Sequence, residues 1–313
     1  VYPPRVTVVE VGPRDGLQSL SRTYPASIKA RLVELLAGAG LPKIEVTAFS
    51  RPDAVPQLAD ADEVFRLLRR RPGTVYRALV PNARGAVRAL AAGADELLAL
   101  LTVSEQYNRR NSNMSVDENV AEALRVVAAA RDAGVPAVVA IGLCLFCPYE
   151  GDIPRERTLG VVRRLVEGGV QEVYLATSSG VDAPRPLAAI VGEVCSLAPG
   201  LRLGVHLHDT NGMALACALA ALDAGATALE GAICGIGGGI RMPKGMAPVG
   251  NVATEDLVAL LAGCGVETGV DPEAVAVAAR EAAALLGLER TASHALAGGT
   301  RAAVRAAAAE GGA

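Results

Sequence analysis

Apolar and polar positions along the chain follow one repeating pattern. A run rich in β-branched apolar residues is followed by a segment rich in Ala, Leu and Arg with helical spacing. The runs are nearly continuous in hydrophobicity instead of alternating, which is typical of parallel strands buried on both faces. Eight runs occur, at residues 6–11, 43–49, 74–80, 96–102, 137–144, 172–177, 201–209 and 228–234. Regular alternation of strand and helix predicts a parallel α/β fold.

Glycine closes most of the helical segments, where a left-handed residue is expected at a helix C-terminus. These glycines are Gly40, Gly93, Gly134, Gly169, Gly225 and Gly265. Eight strand–helix units in about 265 residues match the size of a (β/α)8 TIM barrel. A doubly wound open sheet is the competing fold, but its G-x-G-x-x-G signature is missing from the first turn, which reads Gly-Pro-Arg-Asp-Gly at residues 12–16. We therefore expect one barrel domain over residues 1–265.

The remaining residues, 266–313, predict a C-terminal helical extension packed on the barrel or on a partner subunit. Its helical stretches are expected at about residues 271–287 and 291–309.

Charge and composition exclude several function classes. The 313 residues carry 30 Lys and Arg against 33 Asp and Glu, a net charge of −3, which gives no electrostatic reason to expect nucleic acid or an anionic membrane as partner. No apolar run reaches the roughly 20 residues needed to span a bilayer. The first residues lack the basic-then-apolar shape of a signal peptide, so we expect a cytoplasmic protein.

The spacing Cys144-x-x-Cys147 allows a zinc or redox interpretation. Neither a second Cys pair nor a His-x-His pair recurs nearby, and a structural zinc site needs four ligands. The alternative is a buried thiol beside a thiol at a loop edge.

Candidate chemistry gathers where the carboxyl ends of the barrel strands should lie. His206 and His208 are two apart on the seventh run, so their rings project to one face, and they are two of only three histidines. We interpret them as metal ligands or an acid–base pair; the alternative is a hydrogen-bonded pair filling the barrel mouth. Asp15 and Asn251 supply further oxygens from neighbouring segments. A mixed N and O set without thiolate favours Mg2+, Mn2+ or Co2+ over tetrahedral zinc.

Three further features bear on this chemistry. Asp209 should point away from His208 and either orient a metal ligand or, as we favour, cap the next helix. Arg14, beside Asp15, is a fixed cation able to hold an enolate, or else it forms an Arg–Glu ion pair at the rim. The glycine-rich segment 235–250 is suited to a lid, with Arg241 and Lys244 placed to meet an anionic substrate; the alternative is an ordinary surface loop.

These residues lie in motifs that resemble 3-hydroxy-3-methylglutaryl-CoA lyases, within a wider metallolyase group that includes isopropylmalate synthase. The matching stretches are Glu-Val-Gly-Pro-Arg-Asp-Gly-Leu-Gln at 10–18, Ile-Glu-Val-Thr at 44–47, Cys-Pro-Tyr-Glu-Gly at 147–151, His-Leu-His-Asp-Thr at 206–210 and Gly-Asn-Val-Ala-Thr-Glu-Asp-Leu at 250–257. The resemblance covers residues 6–261, most of the barrel.

The resemblance implies a divalent metal held by four residues: Asp15, His206, His208 and Asn251. It also implies that Arg14 stabilises an enolate, supported by Glu10, Gln18 and Glu45. The implied reaction is a retro-Claisen cleavage of a 3-hydroxyacyl-CoA thioester, and the expected assembly is a homodimer or a higher homo-oligomer.

Two positions depart from the family pattern. Gly239 stands where the lyases carry a loop cysteine credited with proton transfer, and Thr177 stands where they carry an aspartate after the sixth strand. Cys234, nearby, is expected still to lie in the eighth strand. We therefore expect another proton donor or another substrate. The residues expected to contact substrate are Tyr149, Thr177, Ser178, Arg241 and Lys244. A Claisen-type synthase joining an acyl-CoA to a 2-oxo acid, and a catalytically altered homologue that binds metal and ligand, are the alternatives.

Overall fold

A closed barrel of eight parallel strands forms the centre of the molecule, and the computed structural model describes residues 2–238, 242–243 and 250–310. The strands are β1 (Thr7–Glu10), β2 (Lys43–Ala48), β3 (Val75–Val80), β4 (Glu96–Thr102), β5 (Ala137–Gly142), β6 (Glu172–Thr177), β7 (Arg202–Leu207) and β8 (Ala228–Gly231). They pair in sequence order, and β1 closes the ring by pairing with both β2 and β8. The predicted TIM barrel is confirmed.

Helices surround the barrel: α1 (Ala26–Gly38), α2 (Ala61–Leu67), α3 (Ala83–Ala91), α4 (Glu105–Asn111), α5 (Val116–Asp132), α6 (Arg155–Glu167), α7 (Pro184–Leu197), α8 (Ala214–Asp223) and α9 (Thr254–Gly263). The glycines predicted to close the helical segments all have positive φ, from 70° at Gly134 to 114° at Gly225. A two-residue antiparallel ribbon, Phe146–Cys147 with Gly151–Asp152, lies in the loop after β5. In the part of the chain that is described, no helix is both long and apolar enough to cross a bilayer.

The eighth strand is shorter than predicted. It ends at Gly231, and Cys234 lies in a short 3-10 turn with a φ of 61°. Two buried carboxylates cause the break, because Glu10 accepts the Ile233 N–H at 3.0 Å and Glu255 accepts the Cys234 N–H at 3.1 Å. These N–H groups are therefore bonded to side chains and cannot extend a strand ladder.

The C-terminal extension packs on the barrel's own helices. Helix α10 (Pro272–Leu286) contacts α1 and α9, and the Tyr24 hydroxyl donates to the Leu286 carbonyl at 2.6 Å. The division of the chain at residue 265 stays a prediction.

The predicted start of the last helix is wrong. Residues 291–300 form turns, and α11 begins only at Arg301 and runs to Glu310. The Asp256 carboxylate accepts the backbone N–H groups of His294, at 2.8 Å, and Ala295, at 2.7 Å, which holds this segment in a turn instead of a helix.

The barrel wall separates two environments. Outward-facing residues of the strands pack against the helices in an apolar layer, whereas the inside of the barrel holds a ladder of ion pairs. The pairs run from Lys43–Glu96 at 2.7 Å, near the amino ends of the strands, through Arg77 to Glu230 and His206 near the carboxyl ends. This interior differs from the branched apolar filling that is usual in such barrels.

Candidate active site

A tight turn after β1 brings Arg14 and Asp15 into the barrel mouth. Residues Gly12–Gly16 form one π-helical turn, in which the Asp15 N–H donates to the Val11 carbonyl at 2.7 Å. Glu10 fixes the start of this turn by accepting the Gly12 N–H at 2.6 Å. A Cβ at position 12 would lie 2.7 Å from that carboxylate oxygen, so the close approach requires glycine.

Glu10 itself faces away from the barrel interior. Its neighbour Val9 is in register with the inward-facing Lys43 and Glu230, so alternation places Glu10 on the opposite side of the strand. Burial raises the pKa of Glu10 to about 8, against the lowering effect of its hydrogen bonds. Glu10 therefore reaches the site through the backbone of the turn, and its supporting role stays a prediction.

Asp15, His206 and His208 offer ligand atoms that all lie within 4.8 Å of one another. The two histidines project from the end of β7, as predicted, with their Nε2 atoms 3.1 Å apart. All three side chains are buried. Two imidazole nitrogens and a carboxylate oxygen directed at one point form a possible divalent metal site.

Asn251 reaches the same point by pairing with β7. It forms an antiparallel bridge with His208, supported by hydrogen bonds from Asp209 N to Gly250 O at 2.8 Å and from Val252 N to Leu207 O at 3.0 Å. Its amide nitrogen donates to Asp15 Oδ2 at 2.7 Å, and its buried Oδ1 has no hydrogen-bond partner among the residues that the structure describes. A buried carbonyl oxygen without a partner is costly, and coordination of a cation would satisfy it, so the residues present fit a metal.

Arg14 is held between two carboxylates. Its Nε donates to Glu45 on β2, and its Nη1 donates to Asp15 Oδ1 at 2.7 Å. Burial opposes ionisation of Arg14, but Glu45 and Asp15 raise its pKa above the usual value. Gln18 also donates to Asp15 Oδ1 at 2.7 Å. The Arg–Glu ion pair considered as an alternative therefore exists, and it fixes the guanidinium next to the ligand cluster.

The two histidines have opposite electrostatic surroundings. Burial opposes the charge of His206, but Glu230, whose Oε2 lies 2.8 Å from His206 Nδ1, raises its pKa. Burial, together with the neighbouring His206, lowers the pKa of His208 to about 4. His208 is therefore neutral near pH 7 and retains a lone pair for a cation.

Comparison with known proteins identifies the wider group. The HMGL-like family model matches residues 5–282. The chain belongs to the HMGL-like family.

Relatives and solved structures agree over nearly the whole fold. The hydroxymethylglutaryl-CoA lyase of Bos taurus mitochondria is 39% identical over 270 residues, 86% of this chain and 82% of the relative. A Pseudomonas aeruginosa protein named 3-hydroxy-3-isohexenylglutaryl-CoA/hydroxy-methylglutaryl-CoA lyase is 39% identical over 285 residues, 91% of this chain and 94% of the relative. An HMG-CoA lyase structure from Acinetobacter baumannii, in complex with coenzyme A and 3-methylmalate, superposes with a TM-score of 0.88 at 32% identity and covers 95% of this chain and 96% of that one. The predicted resemblance and the carbon–carbon lyase class are confirmed.

Thr177, which the resemblance places at the family's aspartate position, uses its hydroxyl within the barrel wall. Its Oγ1 accepts the His208 N–H at 3.3 Å and lies 3.4 Å from the His206 carbonyl oxygen, so it holds β6 against the histidine-bearing end of β7. Ser178, the next residue, is half-buried and accepts the Leu143 N–H at 3.0 Å. Contact of either residue with substrate stays a prediction.

The other expected substrate residues lie farther out or outside the described part of the chain. Tyr149 is half-buried in the loop after β5, with the Arg110 guanidinium 4.5 Å from its ring centre. Gly239, Arg241 and Lys244 are not among the described residues.

Two smaller predictions can also be compared with the structure. Asp209 accepts the Ala214 N–H at 2.9 Å, which is the helix-capping contact predicted for it. Cys144 and Cys147 are both buried, and the Cys147 thiol lies 3.0 Å from the Ser104 hydroxyl. Within the described ranges, the group of three or more His, Cys, Asp or Glu residues that could share an ion is the one around Asp15, and neither cysteine belongs to it.

Glu230 and Arg77 are site residues that the sequence patterns did not reveal. Each is a single charged residue inside an otherwise apolar strand, Val-Tyr-Arg-Ala-Leu-Val for β3 and Ala-Leu-Glu-Gly for β8. A buried charge is expected only where it is paired, so these exceptions to the apolar pattern were the available signal.

Proposed function

We propose that this chain is a divalent-metal-dependent carbon–carbon lyase that cleaves a 3-hydroxyacyl-CoA thioester by a retro-Claisen reaction. The observation that carries the proposal is the convergence of the Asp15, His206 and His208 ligand atoms within 4.8 Å, with the Arg14 guanidinium bonded to the same carboxylate. Family membership supports it, because the relatives described above are named as lyases of this kind.

The metal is proposed to bind Asp15, His206, His208 and Asn251. A bound divalent cation supplies Lewis acidity to the oxygens of the substrate. Because the set combines imidazole nitrogen with carboxylate and amide oxygen and contains no thiolate, it supports Mg2+, Mn2+ or Co2+.

Arg14 is proposed to act on the charge that develops during cleavage. The C3 hydroxyl loses its proton and becomes a carbonyl, the C2–C3 bond breaks, and its electron pair moves into the thioester as an enolate. Protonation of C2 then gives the acyl-CoA product. Arg14 stays protonated throughout, because Glu45 and Asp15 hold it. A fixed guanidinium stabilises the enolate oxygen more strongly than the neutral thioester oxygen, which lowers the activation barrier to cleavage of the C2–C3 bond.

Glu45, Gln18 and Glu10 are proposed to support this arrangement without direct contact with the reacting atoms. Glu45 orients Arg14, Gln18 orients Asp15, and Glu10 holds the turn that carries both. Preorganisation of this kind matters because a misplacement of about 1 Å can cost about 10²-fold in rate.

The acyl group of the substrate is proposed to extend beyond hydroxymethylglutaryl. The P. aeruginosa relative is named for an isohexenylglutaryl substrate as well, and the A. baumannii structure contains coenzyme A. In this chain Thr177 and Gly239 stand where the family carries aspartate and cysteine. We retain Tyr149, Thr177, Ser178, Arg241 and Lys244 as substrate-contacting candidates, together with a homo-oligomeric assembly and a cytoplasmic location.

Turnover of a small set of thioesters tests the proposal. Purified protein with Mn2+ is mixed with hydroxymethylglutaryl-CoA or 3-hydroxy-3-isohexenylglutaryl-CoA, and acetyl-CoA is followed by mass spectrometry. We expect release of acetyl-CoA that stops with EDTA and returns when Mn2+ is restored. Condensation of acetyl-CoA with a 2-oxo acid, without cleavage, would instead support the synthase. Thioester binding without any product would support the altered homologue.

A further inference from the structure

Arg77 lies at the centre of the barrel and is fully buried. Its guanidinium carbon is 5.1 Å from the ring centre of Tyr174 on β6. Nη2 lies 2.6 Å from Glu45 Oε2 and also donates to Glu230 Oε1. One cation thus bridges carboxylates from β2 and β8, which are separated by β1 in the barrel.

Each of these carboxylates uses its second oxygen on the candidate site. Glu45 Oε1 accepts from Arg14 Nε, and Glu230 Oε2 lies 2.8 Å from His206 Nδ1. The result is a continuous buried chain of contacts from the enolate-stabilising arginine to a metal-ligand histidine, with Arg77 at its middle.

We propose that Glu230 and Arg77 are positioning residues that preset His206 as a metal ligand. With Nδ1–H directed at Glu230, the lone pair of the neutral ring lies on Nε2, the atom that faces His208 and Asp15. Arg77 fixes the orientation of Glu230, because its Nη2 bridges Glu230 and Glu45, two carboxylates that would otherwise repel each other. The same bridge holds Glu45 in place for Arg14. This inference rests on the proposed function, since it takes His206 to be a ligand.

A purely structural ion pair is the competing explanation, and the barrel offers a matched control for it. Glu172, near the amino ends of the strands, also pairs inside the ladder, with Arg202 at 2.9 Å and Lys43 at 3.8 Å. It has no described contact with Arg14, Asp15 or either site histidine. Glu172→Gln therefore removes a largely buried carboxylate charge of the same kind without touching the site.

Mn2+ binding to the full chain, measured by calorimetric titration, tests the proposal. We expect Glu230→Gln to weaken Mn2+ binding about 10- to 100-fold, the usual cost of losing a partner that orients a ligand, and Glu172→Gln to bind within about twofold of the native chain. Arg77→Lys keeps the charge but cannot span both carboxylates, so it should weaken binding by a smaller factor. If Glu230→Gln does not fold, Arg77→Lys decides the question.

Nitrogen-15 labelling of histidine gives an independent readout, because the chain has only His206, His208 and His294. With Mg2+ bound, the native spectrum should contain a ring protonated at Nδ1, and Glu230→Gln should change that ring while the His294 signals stay in place. Native affinity and unchanged ring signals in Glu230→Gln would overturn the proposal. A native chain that fails to bind Mn2+ would overturn the metal assignment with it, whereas Mn2+ binding without thioester cleavage would remove only the proposed reaction.

Discussion

The two halves of the barrel mouth have different chemistry. The half formed by β7, β8, β1 and β2 presents Asp15, His206 and His208, with Arg14 held beside them. The half formed by β3 to β6 presents mainly Leu79, Leu100, Ala140 and Ala176. Strand alternation gives this orientation, because Glu96 reaches the interior cation Arg77 and Leu98 and Leu100 lie on the same face of β4 as Glu96.

Exposure separates the two ends of that apolar wall. Leu98 is 1% exposed, whereas Leu100, one step closer to the mouth, is 39% exposed. We therefore expect the charged side to stabilise the charge that develops during cleavage and the apolar side to contact the acyl group of the substrate. Changes on the charged side should alter metal binding and the rate of bond cleavage, whereas changes on the apolar side should alter the choice of substrate.

The largest effect is expected from removing a ligand on the charged side. Asp15→Ala or His206→Ala should lower turnover by about 10³-fold or more, since a catalytic metal contributes several kcal/mol to the transition state. Circular dichroism should show an intact fold. Turnover at the native rate in either variant would contradict the site assignment.

Arg14 provides the next test. Arg14→Lys keeps a positive charge but loses the planar fork that contacts both Glu45 and Asp15. We expect kcat to fall about 10²-fold with little change in KM, because the interaction strengthens only as the enolate forms. A rise in KM at constant kcat would instead mean that Arg14 only binds the substrate.

A substitution on the apolar side should have a different signature. Leu100→Phe places a larger side chain on the apolar side and narrows the barrel mouth there. The kcat/KM for isohexenylglutaryl-CoA should therefore fall about tenfold relative to that for hydroxymethylglutaryl-CoA, as expected for misfit of a few methylene groups. Affinity for Mn2+ should be unchanged. Val87→Phe, on an exposed position of α3, is the control for a surface change. Equal losses for both thioesters would remove Leu100 from substrate selection.

The contribution of Glu10, which holds the turn that carries Arg14 and Asp15, to the free energy of unfolding should depend on pH. Burial raises the pKa of Glu10 to about 8, so the folded state holds this proton more tightly than the unfolded chain does, with its usual value of 4.5. The resulting stability is fully present below about pH 4.5 and is lost as pH rises toward 8. Between pH 5 and pH 9 the unfolding free energy of Glu10→Gln should therefore fall by about 1 to 3 kcal/mol less than that of the native chain. Urea titrations at each pH measure the unfolding free energy. If it depends on pH in the same way for Glu10→Gln and for the native chain, the prediction is wrong.

The smallest effect is expected at Cys147, in the loop on the apolar side. Cys147→Ser should leave the bound metal unchanged, because the described contacts of its thiol are with the Ser104 hydroxyl and the Tyr149 N–H and not with a ligand of the candidate site. Metal content by elemental analysis checks this, and loss of metal would restore the zinc interpretation of the cysteine pair.

The sequence predicted the barrel well because strand periodicity and closing glycines are local signals. Asp15, His206 and His208 were also within reach, since a two-residue spacing on a strand fixes a shared face. The end of β8 and the turns before α11 were missed, because Glu10, Glu255 and Asp256 capture backbone N–H groups across the fold.

The ladder inside the barrel was not predicted for a related reason. The charged residues of the ladder each interrupt an apolar run, as Lys43, Arg77 and Glu230 do. Their pairing depends on strand register around the closed ring. The position of Asn251 beside the ligand cluster also depends on a tertiary contact, its bridge to His208. Pairings between distant strands are not encoded in local spacing.

The hydrogen bonds of Asn251 link the candidate metal site to the segment that follows β8. Its amide nitrogen donates to the Ile236 carbonyl at 3.1 Å, and the adjoining Gly250 carbonyl accepts from Asp209, so the chain leaves and re-enters the barrel at nearly the same place. One amide group therefore ties the Asp15 carboxylate to the backbone that follows β8, so a substitution that removes this amide should disturb both at once.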